Sequence, residues 1–168
     1  SIPTKSVVEH SNLFTPYITS LYNKAISEKV FPSLLKNADI TPAHKKDERC
    51  FKNNYRPVSI LPVISKIFER IMYNEMYGYM DTYLSSYLCG FRKLFGTHHC
   101  LTVMLERWKR VIDKGQNPGI LLTDLSKAFD SINHELLIAK LNAYGSGAES
   151  LLLLYNYLLN RKQRIKVN

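Results

Sequence analysis

The residues best placed for chemistry sit in one short string, LLTDLSKAFD, where Asp124 directly follows the apolar run Ile120, Leu121, Leu122 and Asp130 comes six residues later. A carboxylate at the C-terminal edge of a buried strand stands where α/β and α+β proteins gather acidic ligands. The pattern alone leaves a plainer alternative, in which Asp124 closes the strand as a surface turn residue and Asp130 helps cap the next helix. A second chemical signal is the interleaving of bases with aromatics, as at Tyr55-Arg56 and Phe91-Arg92. Bound nucleic-acid strands use both charge and stacking surface, so such tracts suit them. Cys50, Cys89 and Cys100 lie far apart without a C-x-x-C pair, and are read as reduced thiols. His98 and His99 adjoin Cys100 but point in different directions on a helix, which argues against a shared metal ion.

The elements that must position these residues follow from periodicity and caps. Thr15 as N-cap and Pro16 at the first helical position, followed by Ile18, Leu21, Tyr22, Ala25 and Ile26, predict a helix ending near Phe31-Pro32. Two strand-like runs, 38–44 and 55–61, bracket a charged tip and predict a β-hairpin; Pro42 and Pro57 each lack a ladder donor, which predicts edge strands or early ends. Apolar residues from Ile64 to Tyr79 recur in steps of three and four and predict a second helix over about 62–84. Thr97 as N-cap predicts a third, presenting Leu101, Met104, Leu105, Trp108 and Ile112 on one side and closed by Gly115 and Pro118. Gly119 to Thr123 reads as a central strand, being apolar on both faces. Asn133 caps a helix running to Gly145, another covers about 148–159, and the basic tail RKQRIKV begins a last strand.

At 168 residues with 45% apolar content, the chain can bury a core. The formal charge of +9 is spread through nearly every polar stretch, and points to an acidic partner. No apolar stretch approaches the ~20 residues that span a bilayer, and the N-terminus lacks signal-peptide order; membrane insertion and secretion are not expected. Ser1 in place of a methionine points to a processed chain or a segment.

The whole string LLTDLSKAFDSINHELL resembles the first palm motif of reverse transcriptases from non-LTR, LINE-like retrotransposons. Upstream, HKKDERCFKNNYRPVSILPVISKIFERIM resembles the same family's fingers motifs; GFRKLFGTHHCL and GSGAESLLLLYNYLLNRKQRIKV resemble the blocks on either side of the palm aspartate, all in the family's order over about 34–167. The resemblance implies an α+β fold: right-hand polymerase fingers and the first part of the palm, helix-rich, with a fingers β-hairpin and a short palm sheet. About 1–118 would be fingers-like and about 119–168 the start of the palm.

It also implies RNA-directed DNA polymerase activity in an intact protein, with an RNA template, a DNA primer and deoxynucleoside triphosphates as partners. Asp124 matches the catalytic aspartate that holds two Mg²⁺ ions, and Leu125 would add a backbone carbonyl, with the amides after it near the phosphates. Phe129 matches the position that packs under the incoming sugar and excludes a 2′-hydroxyl; a plain core phenylalanine is the alternative. Asp130 is read as mainly structural. Arg56 matches the fingers arginine that grips the triphosphate with its planar fork, and Lys46, in preference to Lys45, would join it. Arg92, Lys93, Arg161, Lys162 and Arg164 would track template and primer backbones. An intracellular ribonucleoprotein, nuclear or cytoplasmic, is the implied setting.

Two features of the family pattern have no match: neither a paired-aspartate motif nor Pro-Gln-Gly occurs in these 168 residues. One carboxylate cannot hold two ions at the ~3.5–4 Å separation of two-metal transfer, so the chain by itself is not expected to polymerise. The alternative function is a catalytically inactive nucleic-acid-binding remnant. A basic helical scaffold for a protein partner would leave YRP-S and DLSKAFD as coincidence.

Overall fold

The computed structural model describes residues 2–125 and 128–165. Within them the order is α1 (Thr4–Glu9), α2 (Ser11–Glu28), β1 (Asn37–His44), β2 (Tyr55–Ile60), α3 (Val63–Met80), α4 (Thr97–Ile112), α5 (His134–Ala143), α6 (Ala148–Leu158) and β3 (Lys162–Ile165). This is the expected mixture of many helices and a small sheet. The chain divides into two compact units, Ser1–Asn74 with Asn133–Asn168, and Glu75–Ile132.

The core of the first unit is aromatic. Tyr22 and Ala25 of α2, Phe31, Phe68 of α3 and Leu153 of α6 are buried together, flanked by Ile18, Leu21, Ile64, Ile67 and Tyr157. Phe68 meets Tyr22 at 4.6 Å and Phe31 at 5.1 Å between ring centroids, and Phe31 meets Tyr157 edge-on at 5.0 Å. Such tilted contacts suit the ring quadrupoles and add to the ~1.5–3 kcal/mol each buried ring contributes by leaving water.

Helix α2 corrects the sequence expectation at both ends. It starts at Ser11, so Thr15 is not its cap and Pro16 lies inside it. The helix nucleates upstream on the His10 carbonyl, which accepts from Leu13 (2.9 Å) and Phe14 (3.2 Å). Pro16, in the second turn, forfeits the bond to the Asn12 carbonyl and sets its ring against it, a local cost the rest of the helix absorbs. The helix stops at Glu28 because Lys29 turns left-handed (φ 56°) and Val30 donates back to the Ala25 carbonyl at 3.1 Å.

The hairpin forms as expected, with β1 and β2 antiparallel and Pro42 opposite Pro57. The Lys45 N–H donates to the Asn54 carbonyl at 2.8 Å, which makes 45 with 54 a bonded pair. Alternation then makes Pro42 with Pro57 a non-bonded pair, so neither missing N–H is owed to the hairpin ladder. The consequence falls on the outer sides. β2 is an edge, and β1 pairs with β3, in parallel, only from Asn37 to Ile40, before Pro42 is reached. The tip folds on itself: the His44 ring bonds the Asp47 carbonyl (2.9 Å), and Asn54 and Tyr55 donate to the carbonyls of Glu48 (2.8 Å) and Arg49 (2.9 Å).

Helices α5 and α6 match expectation closely. The Asn133 side chain accepts from the Leu136 N–H at 3.0 Å, and Gly145 (φ 86°) ends α5 in the left-handed turn that glycine adopts without strain. The second unit departs further. Helix α3 ends at Met80 rather than near Leu84, and α4 is capped by Gly96, not Thr97, with His99 Nδ1 accepting the Gly96 N–H at 3.2 Å. The apolar stripe of α4 exists but is not buried: Leu101, Leu105 and Ile112 are exposed. Gly119 to Thr123 is not a strand, and Leu121 and Leu122 are 89% and 85% exposed. An apolar run of this kind needs a neighbouring ladder and cover on both faces, and the sheet lies wholly within the first unit.

Candidate catalytic and nucleic-acid sites

Asp124 and Leu125 lie in an irregular, exposed segment of the second unit. Asp124 therefore stands open to solvent rather than at the edge of a buried strand. Phe129 is 76% exposed, which sets aside its reading as a core residue, and it meets the Phe91 ring edge-on at 6.2 Å. Asp130 lies in the turn before Asn133, consistent with a structural role. The amides that follow Leu125, at Ser126 and Lys127, lie outside the described residues, as does Lys166. Among the described residues no group of three or more His, Cys, Asp or Glu side chains could hold a metal ion. Asp124 thus offers one carboxylate, and the described chain does not by itself form a complete divalent-ion site.

Arg56 and Lys46 belong to the hairpin of the first unit. Arg56 is exposed on β2, opposite Ala43, and Lys46 is exposed at the tip beside Asp47, whose φ of 63° turns the chain. The hairpin therefore carries both residues.

Of the five backbone-tracking candidates, three have their guanidinium groups engaged inside the molecule. Arg92, with a side chain 12% exposed, bonds Asp81 at 3.0 Å, donates to the Ser85 carbonyl (3.3 Å) and lies over the Phe95 ring (4.6 Å). That bond holds the Asp81 carboxyl below its ordinary range. Lys93 has its backbone N–H on the Tyr77 hydroxyl (2.9 Å) and its ammonium over the same ring (5.1 Å). In the first unit, Arg161 lies over Tyr157 at 4.5 Å and reaches Glu69 at 3.7 Å. Arg164 grips Asp39 through Nε (2.5 Å) and Nη2 (3.4 Å), joining β3 to β1, and Lys162 is exposed.

The structure adds residues that the sequence did not signal. Lys36 is 7% exposed, and its ammonium donates to the Asn156 backbone carbonyl (2.5 Å) and side-chain Oδ1 (3.1 Å). Asn156 Oδ1 also accepts the Phe31 N–H at 2.9 Å. The carbonyl Lys36 meets is one of the orphans in the last turn of α6, where a cation also suits the helix dipole. Burial, with Arg161 nearby, lowers the Lys36 pKa. Asp39 is a second omission. Its alternation with Ala38 and Ile40 assigns it to the polar face of β1, but nothing local announces Arg164 as its partner.

Among the described residues no helix is long and apolar enough to cross a membrane. Comparison with known proteins is consistent across its results. The pattern of the family "Reverse transcriptase (RNA-dependent DNA polymerase)" matches residues 43–168. The Drosophila melanogaster "Probable RNA-directed DNA polymerase from transposon BS" is 28% identical over 161 residues, covering 90% of this chain and 17% of that protein. The X-element protein "Probable RNA-directed DNA polymerase from transposon X-element" of the same fly is 32% identical over 124 residues, 70% of this chain and 13% of the relative. The fly's "RNA-directed DNA polymerase from mobile element jockey" is 29% identical over 131 residues, 74% of this chain and 14% of the relative. The chain thus spans less than a fifth of the length of these relatives. The family match covers the hairpin tip, β2 with Arg56, the LLTDLSKAFD string and β3: the chain belongs to the reverse transcriptase family, in its LINE-like branch.

Proposed function

We propose that the chain is part of an RNA-directed DNA polymerase that extends a DNA primer with deoxynucleoside triphosphates along an RNA template, 1–118 being fingers-like and 119–168 the start of the palm. The observation that carries this reading is the family match over 43–168, which includes Asp124 within LLTDLSKAFD. In the intact protein Asp124 supplies one carboxylate toward two Mg²⁺ ions, with Leu125 offering a carbonyl and the remaining ligands coming from outside these residues. The ions' contribution is to activate the primer hydroxyl and neutralise the triphosphate. Arg56 and Lys46, both exposed on the hairpin, hold the triphosphate. Phe129, exposed and backed by Phe91, packs against the sugar and disfavours a 2′-hydroxyl.

Lys93 and Lys162 track nucleic-acid backbones by charge; Arg92, Arg161 and Arg164 do so while oriented by their carboxylate partners. The setting is a ribonucleoprotein in nucleus or cytoplasm. The test is primer extension on an RNA template by the intact open reading frame, with and without divalent ions. Ion-dependent incorporation of deoxynucleotides is expected. Salt-sensitive binding without extension would instead support a non-catalytic nucleic-acid-binding remnant.

A further inference from the structure

The loop between α3 and α4 carries two large apolar side chains on strained backbone. Phe91 (φ 60°) and Leu94 (φ 66°) both take the left-handed conformation that a Cβ disfavours, and they are 89% and 95% exposed. Burial offsets the strain at neither residue. Strain of this kind persists only where the surroundings impose it, and it gathers where a side chain must be held in one place.

The two residues between them supply the restraint. Arg92 is fixed on the Asp81 carboxylate and the Ser85 carbonyl, and Lys93 sets its N–H on the Tyr77 hydroxyl and its ammonium over the same ring. The Phe95 N–H closes the turn on the Arg92 carbonyl at 3.4 Å. With residues 92 and 93 anchored to the end of α3, residues 91 and 94 are turned outward on a braced support. Phe91 then meets Phe129, of the same unit, with the ring planes at 87°. Phe129 stands in a turn in which the Ser131 hydroxyl donates to the Ala128 carbonyl at 3.0 Å, a bond that fixes the backbone and leaves the ring in solvent. An exposed phenylalanine samples several rotamers, and an edge-on neighbour favours one of them.

We propose that Phe91 is a positioning residue for sugar selection, holding the Phe129 ring in the rotamer that meets a 2′-hydroxyl, with the braced turn keeping Phe91 in place. The proposal rests on the reading of Phe129 as the residue that packs against the incoming sugar. Exclusion of a hydroxyl is steric, so a ring that swings aside admits a ribonucleotide. Selectivity then depends on how narrowly the ring is held as well as on its presence.

The test measures kcat/KM for ribo- and deoxynucleoside triphosphates in primer extension on RNA by the intact open reading frame, with Phe129→Ala as reference. Phe91→Gly deletes the ring but relieves the backbone, since glycine adopts a left-handed φ freely; the urea midpoint of the 168-residue chain should therefore hold or rise. A merely structural role would instead lower it. Phe91→Gly is expected to raise the ribonucleotide-to-deoxynucleotide ratio about threefold to tenfold, the range spanned by loss of one aromatic pair, and by less than Phe129→Ala does. Phe91→Tyr, which keeps the ring, should hold the original ratio. In the Phe129→Ala background Phe91→Gly should add nothing, because the group it acts through is gone. Fluorine NMR of a fluorophenylalanine at position 129 of the 168-residue chain reads the contact apart from catalysis, and Phe91→Gly should shift its resonance. An unchanged ratio in Phe91→Gly, while Phe129→Ala raises it, overturns this proposal alone. An unchanged ratio in Phe129→Ala, or no incorporation by the unaltered protein, overturns the sugar reading and the proposal with it. Equal gains in both backgrounds, or an unmoved fluorine resonance, mean that Phe91 acts apart from Phe129 and also overturn it.

Discussion

Replacing Asn156 with alanine tests the buried Lys36 and the joint it makes. Asn156 Oδ1 accepts from the Phe31 N–H and from Lys36, and among the described residues no other side-chain acceptor meets either group. Without it a part-buried N–H loses its partner, at about 1–3 kcal/mol, and a buried ammonium loses one of two acceptors, at about 1.5–3 kcal/mol. The alanine returns about half a kcal/mol in helix propensity, so a net loss of ~2–5.5 kcal/mol is expected from a total of about 5–15. Lys36→Met keeps the aliphatic length and removes the charge; with no carboxylate partner lost, it should change stability by only about 1 kcal/mol.

In the double variant the stranded ammonium is gone, so the loss should fall short of the sum by at least ~1 kcal/mol. Urea unfolding followed by far-ultraviolet circular dichroism measures all three. An Asn156→Ala loss below about 1 kcal/mol, or additivity within about 0.5 kcal/mol, would refute the reasoning.

Three further outcomes follow from the core and the Asp124 segment. Burial pushes the hydroxyls of Tyr22 and Tyr157 up to about 12, with Glu69 adding to the effect on Tyr157. Against an unfolded value of about 10, each contributes ~3 kcal/mol that is whole below about pH 10 and lost as pH rises through about 12. Ultraviolet titration should show Tyr22 and Tyr157 ionising with alkaline unfolding rather than before it. Phe68→Ala, at the centre of the aromatic cluster, should lower stability by ~3–5 kcal/mol in the same urea assay. Phe129→Ala, at an exposed position, should leave stability within ~0.5 kcal/mol and, in the intact polymerase, raise ribonucleotide incorporation relative to deoxynucleotide.

What could be read in the sequence was local. Helices α3 and α5 announce themselves because their apolar residues recur every three or four positions and Asn133 and Gly145 mark the ends of α5, and α6 is the apolar run that follows Gly147. The hairpin is legible because alternating segments flank a charged tip. What failed was what depends on distant partners. Ile120 to Leu122 has strand composition, yet composition supplies no neighbouring ladder. The parallel pairing of β3 with β1 joins segments more than a hundred residues apart, and so do the Lys36–Asn156 and Asp39–Arg164 contacts. Pro16 misled because a proline one turn inside a helix carries the same local signal as one at its start.

Asp124 was legible only through the string around it. In the structure it is exposed to solvent. The direct test is Asp124→Asn in the intact open reading frame, assayed by primer extension on RNA and by binding to the same primer–template. The account predicts that extension is lost while binding is kept, since one ion ligand is removed and no basic contact is touched. Extension at the unaltered rate by Asp124→Asn would contradict it.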